Sequence, residues 1–346
     1  MSKVSVYNEW DPLEEVIVGR ADNAQIAKCD KGLFAVEYRD LGLPFKVPSG
    51  RYPERCIQET NEDLEALVRS FEKLGIVVRR PDVFDHSKMF ATPDWNSDGQ
   101  YNYCPRDLFV CAGSTIIESP MTLRARQFET ISYKEILLDY LRSGARWVCA
   151  PKPRLLDTAY RLPESGQIAL EETEPIFDAA NVLRIGRDVF YLVSDSGNKL
   201  GAHWLQTALG SEYRVHAFDN LYTGSHIDTT LTLVKPGLIV ACAERVNKDN
   251  LPYLFKNWDV IYLSEVHDIG FTNIPYASVW IGMNFMMINP ELAVVDRNQP
   301  KLIRELEKRG VNVLPLQLRH ARTMGGGFHC VTMDVRRRGK LEDYCS

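Results

Sequence analysis

The chain contains no apolar run of the length that a membrane-spanning helix requires, about 20 residues. Its first residues, MSKVSVYNEW, hold no apolar signal core, so a cytoplasmic protein is expected. It also lacks an excess of positive charge: 41 Lys and Arg stand against 46 Asp and Glu, a formal net charge of −5. Without a basic field the molecule does not gather polyanions, and nucleic acid is not expected as a partner. The one basic run, Arg336-Arg337-Arg338, reads as a solvated face or an ion-pair site. Cys-x-x-Cys pairs are missing as well. The eight cysteines, at 29, 56, 104, 111, 149, 242, 330 and 345, are scattered, which argues against a zinc ribbon and against a disulfide framework. Most read as small buried hydrophobes. GRADNAQ (19–25) lacks phosphate-loop spacing, and no local ligand pair is spaced for a metal, so neither metal nor organic cofactor is expected.

What is present is a repeat. The 346 residues are 45% hydrophobic, enough for a sizeable core. Four apolar pairs are joined by Gly, Pro or Asn turns: LFVCAGSTIIES (108–119), VLRIGRDVFYLVS (182–194), LTLVKPGLIVAC (231–242) and FMMINPELAVVD (285–296). Each reads as strand, tight turn, strand. A fifth pair forms if CVTMDVRR (330–337) lies beside LEEVIVG (13–19), closing the chain ends on each other. Amphipathic helices are expected over 61–75, 127–144, 199–210 and 301–310, with a poorer one over 249–258. Short β-branched or aromatic runs follow at 76–81, 146–151, 213–218, 259–264 and 311–316.

The recurring unit is strand, strand, helix, strand, five times over. One unit cannot bury both faces of its sheet, so the units should pack about a common axis. The expected fold is α/β: a five-bladed, pseudo-symmetric α/β propeller of ββαβ modules, forming a single domain over residues 1–346. An open α/β sheet is the alternative; the antiparallel hairpins favour the propeller. Residues 20–58 and 150–176 fit no module and are expected to rim a site.

Polar motifs fall at equivalent places in the repeat. TPDW with Asp94 and CPRD with Arg106 and Asp107 precede the second hairpin. EPIFDAAN with Asp178, GSHIDTT with His226 and Asp228, and IGMN with Asn284 precede the next three, and GGGFHC with Cys330 precedes the closing strand. If the modules are equivalent, these segments meet in one pocket. A thiol beside an imidazole becomes a nucleophile, and a carboxylate orients the imidazole. Further carboxylates suit a guanidinium, with its five donors in a fixed fork. The set points to a guanidino substrate attacked by a thiolate. Each residue alone also reads as ordinary structure: GGG as a turn, Cys330 as core, His226 as a hydrogen-bonded residue. A zinc site from Cys330, His226 and Asp228 lacks ligand spacing. Cys330 is expected to begin the closing strand, with the adjacent His329 turned to the opposite face as a structural residue. At least one of Gly325, Gly326 and Gly327 is expected at positive φ, where the backbone passes close to the substrate.

EPIFDAAN, SHIDTT and GGGFHCVTMDVRRRG resemble the amidinotransferase family. NEWDPLEEVIVG, VLRIGRDVFYLVSDSGN and SVWIGMN are most similar to its inosamine-phosphate branch, and the likeness runs over nearly the whole chain. The resemblance implies a five-bladed α/β propeller. It makes Cys330 the nucleophile, His226 the general acid and base, and Asp178 its carboxylate partner. It assigns Asp94 and Asp228 to the guanidinium, and Arg245 and Ser278 to the α-carboxylate of the donor. Arg106 and Asn284 join the substrate-binding set. Ala277 stands where some members carry serine.

The implied reaction is transfer of the amidino group of L-arginine to an amine through a covalent amidino-Cys330, with release of L-ornithine. An aminocyclitol phosphate of specialised-metabolite biosynthesis is the expected acceptor. Glycine, lysine or ornithine could use the same machinery. Arg51 and Arg55 could serve a phosphate, though loop arginines are more often surface residues. An arginine deiminase-type hydrolase is the enzyme rival, and a guanidine-binding regulator without catalysis is the rival from another class. Small molecules are the expected partners, with no nucleic acid and no membrane; a homodimer is left open.

Overall fold

The computed structural model describes residues 2–162 and 166–345. Its framework is five three-stranded sheets, each built the same way. In one, Phe109–Ala112 pairs antiparallel with Thr115–Glu118, which pairs parallel with Arg146–Cys149. Val182–Ile185, Asp188–Leu192 and Arg214–Phe218 repeat the order. So do Leu231–Lys235, Leu238–Cys242 and Asp259–Leu263, and then Met286–Asn289, Leu292–Asp296 and Asn312–Leu316. The fifth sheet joins the chain ends: Thr332–Arg337 lies antiparallel to Leu13–Val18, which runs parallel to Val77–Arg79. The protein is thus α/β, with strand–strand–crossover–strand units.

The tight turns explain the hairpins. Gly113, between the first pair of strands, has φ +56°, a region that side chains with a Cβ rarely enter. The parallel third strand needs a crossover, and helices supply it over Glu54–Lys73, Lys134–Arg142, Lys199–Leu209 and Pro300–Glu307. Leu64, Leu67, Val68 and Phe71 form the buried stripe of the first helix. Asn198 caps the third by accepting from the Gly201 N–H. The crossover from Leu238–Cys242 to Asp259–Leu263 carries only a single 3₁₀ turn, Tyr253–Phe255, entered at Pro252. No described helix is long and apolar enough to cross a membrane.

Burial is graded across each sheet. The first strand of the second sheet, Val182–Ile185, is buried throughout, whereas its third strand, Arg214–Phe218, is half-buried with Arg214 and Ala217 exposed. Between the first strands lies a buried ionic network. Arg184 meets Glu9 at 2.7 Å and Asp334 at 2.8 Å. Arg106 meets Asp334 at 2.7 Å and gives its Nε–H to the Thr332 carbonyl. Glu9 of this network lies 3.4 Å from His329 Nε2, which ties it to the polar residues described next.

The closing segment departs from expectation. The strand begins at Thr332, and Cys330 lies in the turn before it, where Val331 N–H donates to Gly327 O at 3.0 Å. In a turn neighbouring side chains need not alternate, so His329 and Cys330 converge on one carboxylate instead of facing apart.

Candidate active site

The segments that enter the first strand of each hairpin supply the site. Asp107 ends a 3₁₀ turn before Phe109, and Asp178 precedes another before Val182. His226 and Asp228 precede Leu231, Asn284 precedes Met286, and Cys330 precedes Thr332. They meet beside a cavity of about 400 Å³ whose lining includes Glu37, Tyr276, Ser278, His226, Asp228 and Cys330.

His226 Nε2 lies 3.0 Å from Asp178 Oδ2, and Nδ1 lies 3.6 Å from Asp107 Oδ1. Asp178 is itself held, its Oδ1 accepting from the Thr122 N–H at 2.8 Å. Burial disfavours the charged imidazolium, but the carboxylates of Asp107 and Asp178 outweigh it and raise the His226 pKa to about 10. His226 sits at φ +63°, an uncommon backbone region for a residue with a side chain, and its N–H donates to Ser196 Oγ. Such backbone cost is typically stored where a side chain must be aimed.

The Cys330 thiol donates to Asp228 Oδ2 at 3.2 Å, and Asn284 Nδ2 donates to its sulfur at 3.1 Å. A hydrogen bond with Cys104, burial, and the Asp228 charge push the thiol well above its ordinary range. Asp228 is held low despite burial, because His329 Nδ1 lies 2.9 Å from the same Oδ2. Two carboxylate oxygens, Asp107 Oδ1 and Asp228 Oδ1, are buried with no hydrogen-bond partner among the described residues. Unsatisfied buried acceptors are rare and ask for an occupant. Burial raises the Asp107 carboxyl, while His226 and Arg126 pull it back.

The glycine run has three duties. Gly325 ends the Ala321–Met324 helix at φ +82°. A Cβ on Gly326 would lie 2.6 Å from Cys104 Sγ, and one on Gly327 would lie 2.6 Å from Asn284 Cβ. The backbone passes between these side chains only without its own.

The other residues to which the sequence pointed separate into groups. Arg245 donates to Thr229, Thr230 and Ser278, and stacks 3.8 Å over the Tyr222 ring at the cavity edge. Asn284 holds the thiol and does not line the cavity. Asp94 is not brought to the cluster; it pairs with Arg154 on the surface. Asp107, from the neighbouring CPRD motif, stands there instead. Arg106 is also outside the cavity, because Asp334 and the Thr332 carbonyl draw it inward. Arg51 and Arg55 are exposed and pair with Glu54 and Glu59. Of the two irregular stretches, 20–58 reaches the cavity through residues 36–41. Residues 150–176 pack behind it through Leu155, Ala159 and Tyr160; positions 163–165 lie outside the described residues. Sequence reasoning passed over Glu37 and Arg39, which lie in a stretch without periodicity.

Comparison with known proteins follows the same lines. No family model matches the chain. Inosamine-phosphate amidinotransferase 1 of Streptomyces glaucescens is 55% identical over 346 residues, covering 99% of each chain. The chain belongs to the amidinotransferase family. The mitochondrial glycine amidinotransferase of Gallus gallus is 36% identical, over 99% of this chain and 84% of its own. The solved structure of the inosamine-phosphate amidinotransferase STRB1 from Streptomyces griseus superposes with a TM-score of 0.98 at 53% identity, covering both chains fully. This amidinotransferase is therefore a transferase whose cavity geometry can be read as group-transfer machinery.

Proposed function

We propose that this amidinotransferase moves the amidino group of L-arginine to an acceptor amine through a covalent amidino-Cys330, releasing L-ornithine. The observation that carries the reading is the pair of partnerless oxygens, Asp107 Oδ1 and Asp228 Oδ1, in the cluster of Cys330 and His226. A guanidinium satisfies both with its N–H groups. Its positive charge also favours the thiolate, offsetting the carboxylates that suppress it in the free enzyme.

The steps then balance. Cys330 passes its proton to Asp228 Oδ2, to which it already donates, and the thiolate bonds to the guanidinium carbon. His226, protonated through Asp107 and Asp178, gives its proton to the departing nitrogen as the C–N bond breaks. Ornithine leaves, and an S-amidino cation remains on Cys330. An acceptor amine attacks the same carbon and the C–S bond breaks, returning the thiolate. Arg245 and Ser278, joined at the cavity edge, are fitted to receive the donor's α-carboxylate.

For the acceptor we favour an aminocyclitol phosphate, as the name of the Streptomyces glaucescens relative indicates for that protein. Arg39 supports this: Asp195 holds one side of its guanidinium at 2.8 Å, while Nη1 is buried with no partner among the described residues, on a residue lining the cavity. A phosphate oxygen would complete it. We further infer that the five sheets stand around a common axis as a five-bladed propeller in a single domain over 1–346. The graded burial of each sheet and the ionic network between first strands support this. The eight free thiols fit a cytoplasmic protein working on small molecules; a homodimer stays open.

Intact-protein mass spectrometry with guanidino-labelled arginine tests the chemistry. The expected result is a labelled amidino adduct on Cys330, ornithine in solution, and transfer to an aminocyclitol phosphate in an amine panel. Citrulline in place of ornithine, or no adduct, would overturn it.

A further inference from the structure

The second half-reaction has one proton more than the described machinery can place. An alkylamine near neutral pH arrives as an ammonium, since such groups ordinarily titrate near 10. To become a guanidinium nitrogen it must lose two protons, one before attack and one after. His226, having given its proton to ornithine, can take one. A second proton acceptor is needed within reach of the incoming nitrogen.

The described cavity carboxylates can be compared. Asp228 has its Oδ2 occupied by His329 and Cys330, and its Oδ1 is the acceptor that holds the amidino group. Asp195 is occupied by Arg39 and the Ala169 N–H. Asp40 is exposed. Glu37 differs: Oε1 accepts from Ser225 Oγ at 2.9 Å, and Oε2 has no partner among the described residues. Ser225 precedes His226 in the chain, so this carboxylate borders the reacting groups, and both residues line the cavity with Cys330. The backbone that delivers it is a π-helical turn, Phe34–Tyr38. Such turns widen a helix by one residue and recur at functional sites. Its apolar side, Phe34, Ala35 and Val36, is packed into a core with Leu155 and Tyr160, so the turn is a rigid platform.

We propose that Glu37 is the acceptor-side carboxylate, binding the incoming ammonium through Oε2 and taking the first of its two protons. This rests on the amidino-transfer reading. The amine then attacks the S-amidino carbon, the C–S bond breaks toward sulfur, and His226 takes the second proton. The products are the new guanidinium, Cys330 thiolate, neutral Glu37 and protonated His226. The charge is +1 on both sides: amidino-cysteine, ammonium, glutamate and neutral histidine before, the four products after. Burial pushes Glu37 up to about 7, with His226 and Ser225 pulling it down and Asp178 and Asp195 raising it. A carboxylate so placed can exist in both forms at neutral pH. The charged groups facing it are His226, Asp178 and Asp195, with Arg39 on the 3₁₀ turn Arg39–Leu41 that follows.

Rapid-quench ornithine release and intact mass, measured on wild type, Glu37→Gln and Glu37→Asp, decide the matter. For Glu37→Gln the expected outcome is one equivalent of ornithine released within severalfold of the wild-type rate, followed by a persisting amidino-Cys330. Turnover with an ordinary amine falls about a hundredfold or more. Hydroxylamine, uncharged at neutral pH, restores most of it, and Glu37→Asp recovers part. Ornithine release slowed as much as turnover would overturn the proposal, because Glu37 would then serve the donor half. So would equal loss with hydroxylamine. If wild type forms no adduct, the underlying amidino-transfer reading fails and takes this proposal with it. If wild type forms the adduct and Glu37→Gln turns over normally, only the role of Glu37 fails.

Discussion

Asn284 grips Cys330 from two directions: Oδ1 accepts the Cys330 N–H at 3.2 Å, and Nδ2 donates to Sγ at 3.1 Å. The same Oδ1 takes the His329 N–H at 2.9 Å. One amide therefore sets both the turn and the sulfur. Asn284→Ala leaves two buried N–H groups unpaired, each costing roughly 1–3 kcal/mol. We expect a lower urea midpoint and a fall in kcat of at least tenfold, with the KM for arginine changed far less.

Asp228 both receives the Cys330 S–H and opposes its ionisation. Asp228→Asn removes that charge. Iodoacetamide should therefore alkylate Cys330 faster at pH 8 in the variant, while turnover is lost because the guanidinium loses a carboxylate. Slower alkylation in the variant would refute this electrostatic account.

His226 is raised from an ordinary 6.5 to about 10 in the folded protein. The folded state binds its proton more tightly, so the stabilisation is fully present below about pH 6.5 and is lost as pH rises through about 10. Urea melts of wild type and His226→Asn should show the stability difference shrinking across that window. The imidazole NMR titration of wild type should run alkaline of a free histidine.

Asp94 and Asp107 give opposite expectations. Asp94 is surface-paired with Arg154, so Asp94→Asn should leave turnover and melting close to wild type. Asp107→Asn removes a partnerless acceptor in the cluster and one of the charges that protonate His226. Ornithine release should fall by two orders of magnitude or more, and the His226 titration should move toward neutrality.

Gly325→Ala tests the glycine run. At φ +82° a Cβ costs about 1–2 kcal/mol, and it would also lie 2.1 Å from Cδ1 of Tyr276, a cavity-lining ring. Displacing that ring reshapes the cavity, so kcat/KM should drop further than that cost explains, with the melting temperature only modestly lowered.

The five hairpins, their third strands and the meeting of the chain ends were legible because each rests on local periodicity and turn chemistry. So was the convergence of Asp178, His226, Asp228 and Cys330, since each enters an equivalent strand. Asp107 stands where Asp94 was expected. TPDW and CPRD both precede the second hairpin, and spacing alone does not distinguish Asp94 from Asp107. Arg106 and Asn284 were recognised as important, but their direction was not: Arg106 turns to the ionic network and Asn284 to the thiol.

By itself, the sequence determined the repeat, the pairing of the chain ends in one sheet, and the set of thiol, imidazole and carboxylates. These depend on side-chain alternation, turn residues and residue type, all properties of short segments. Only the tertiary structure decided which acids meet the sulfur, that His329 and Cys330 share one carboxylate, and that Glu37 and Arg39 belong to the cavity. Those outcomes come from loops and turns, where no period sets side-chain direction. They come also from contacts such as Cys330 with Asp228, 102 residues apart, which packing alone brings together.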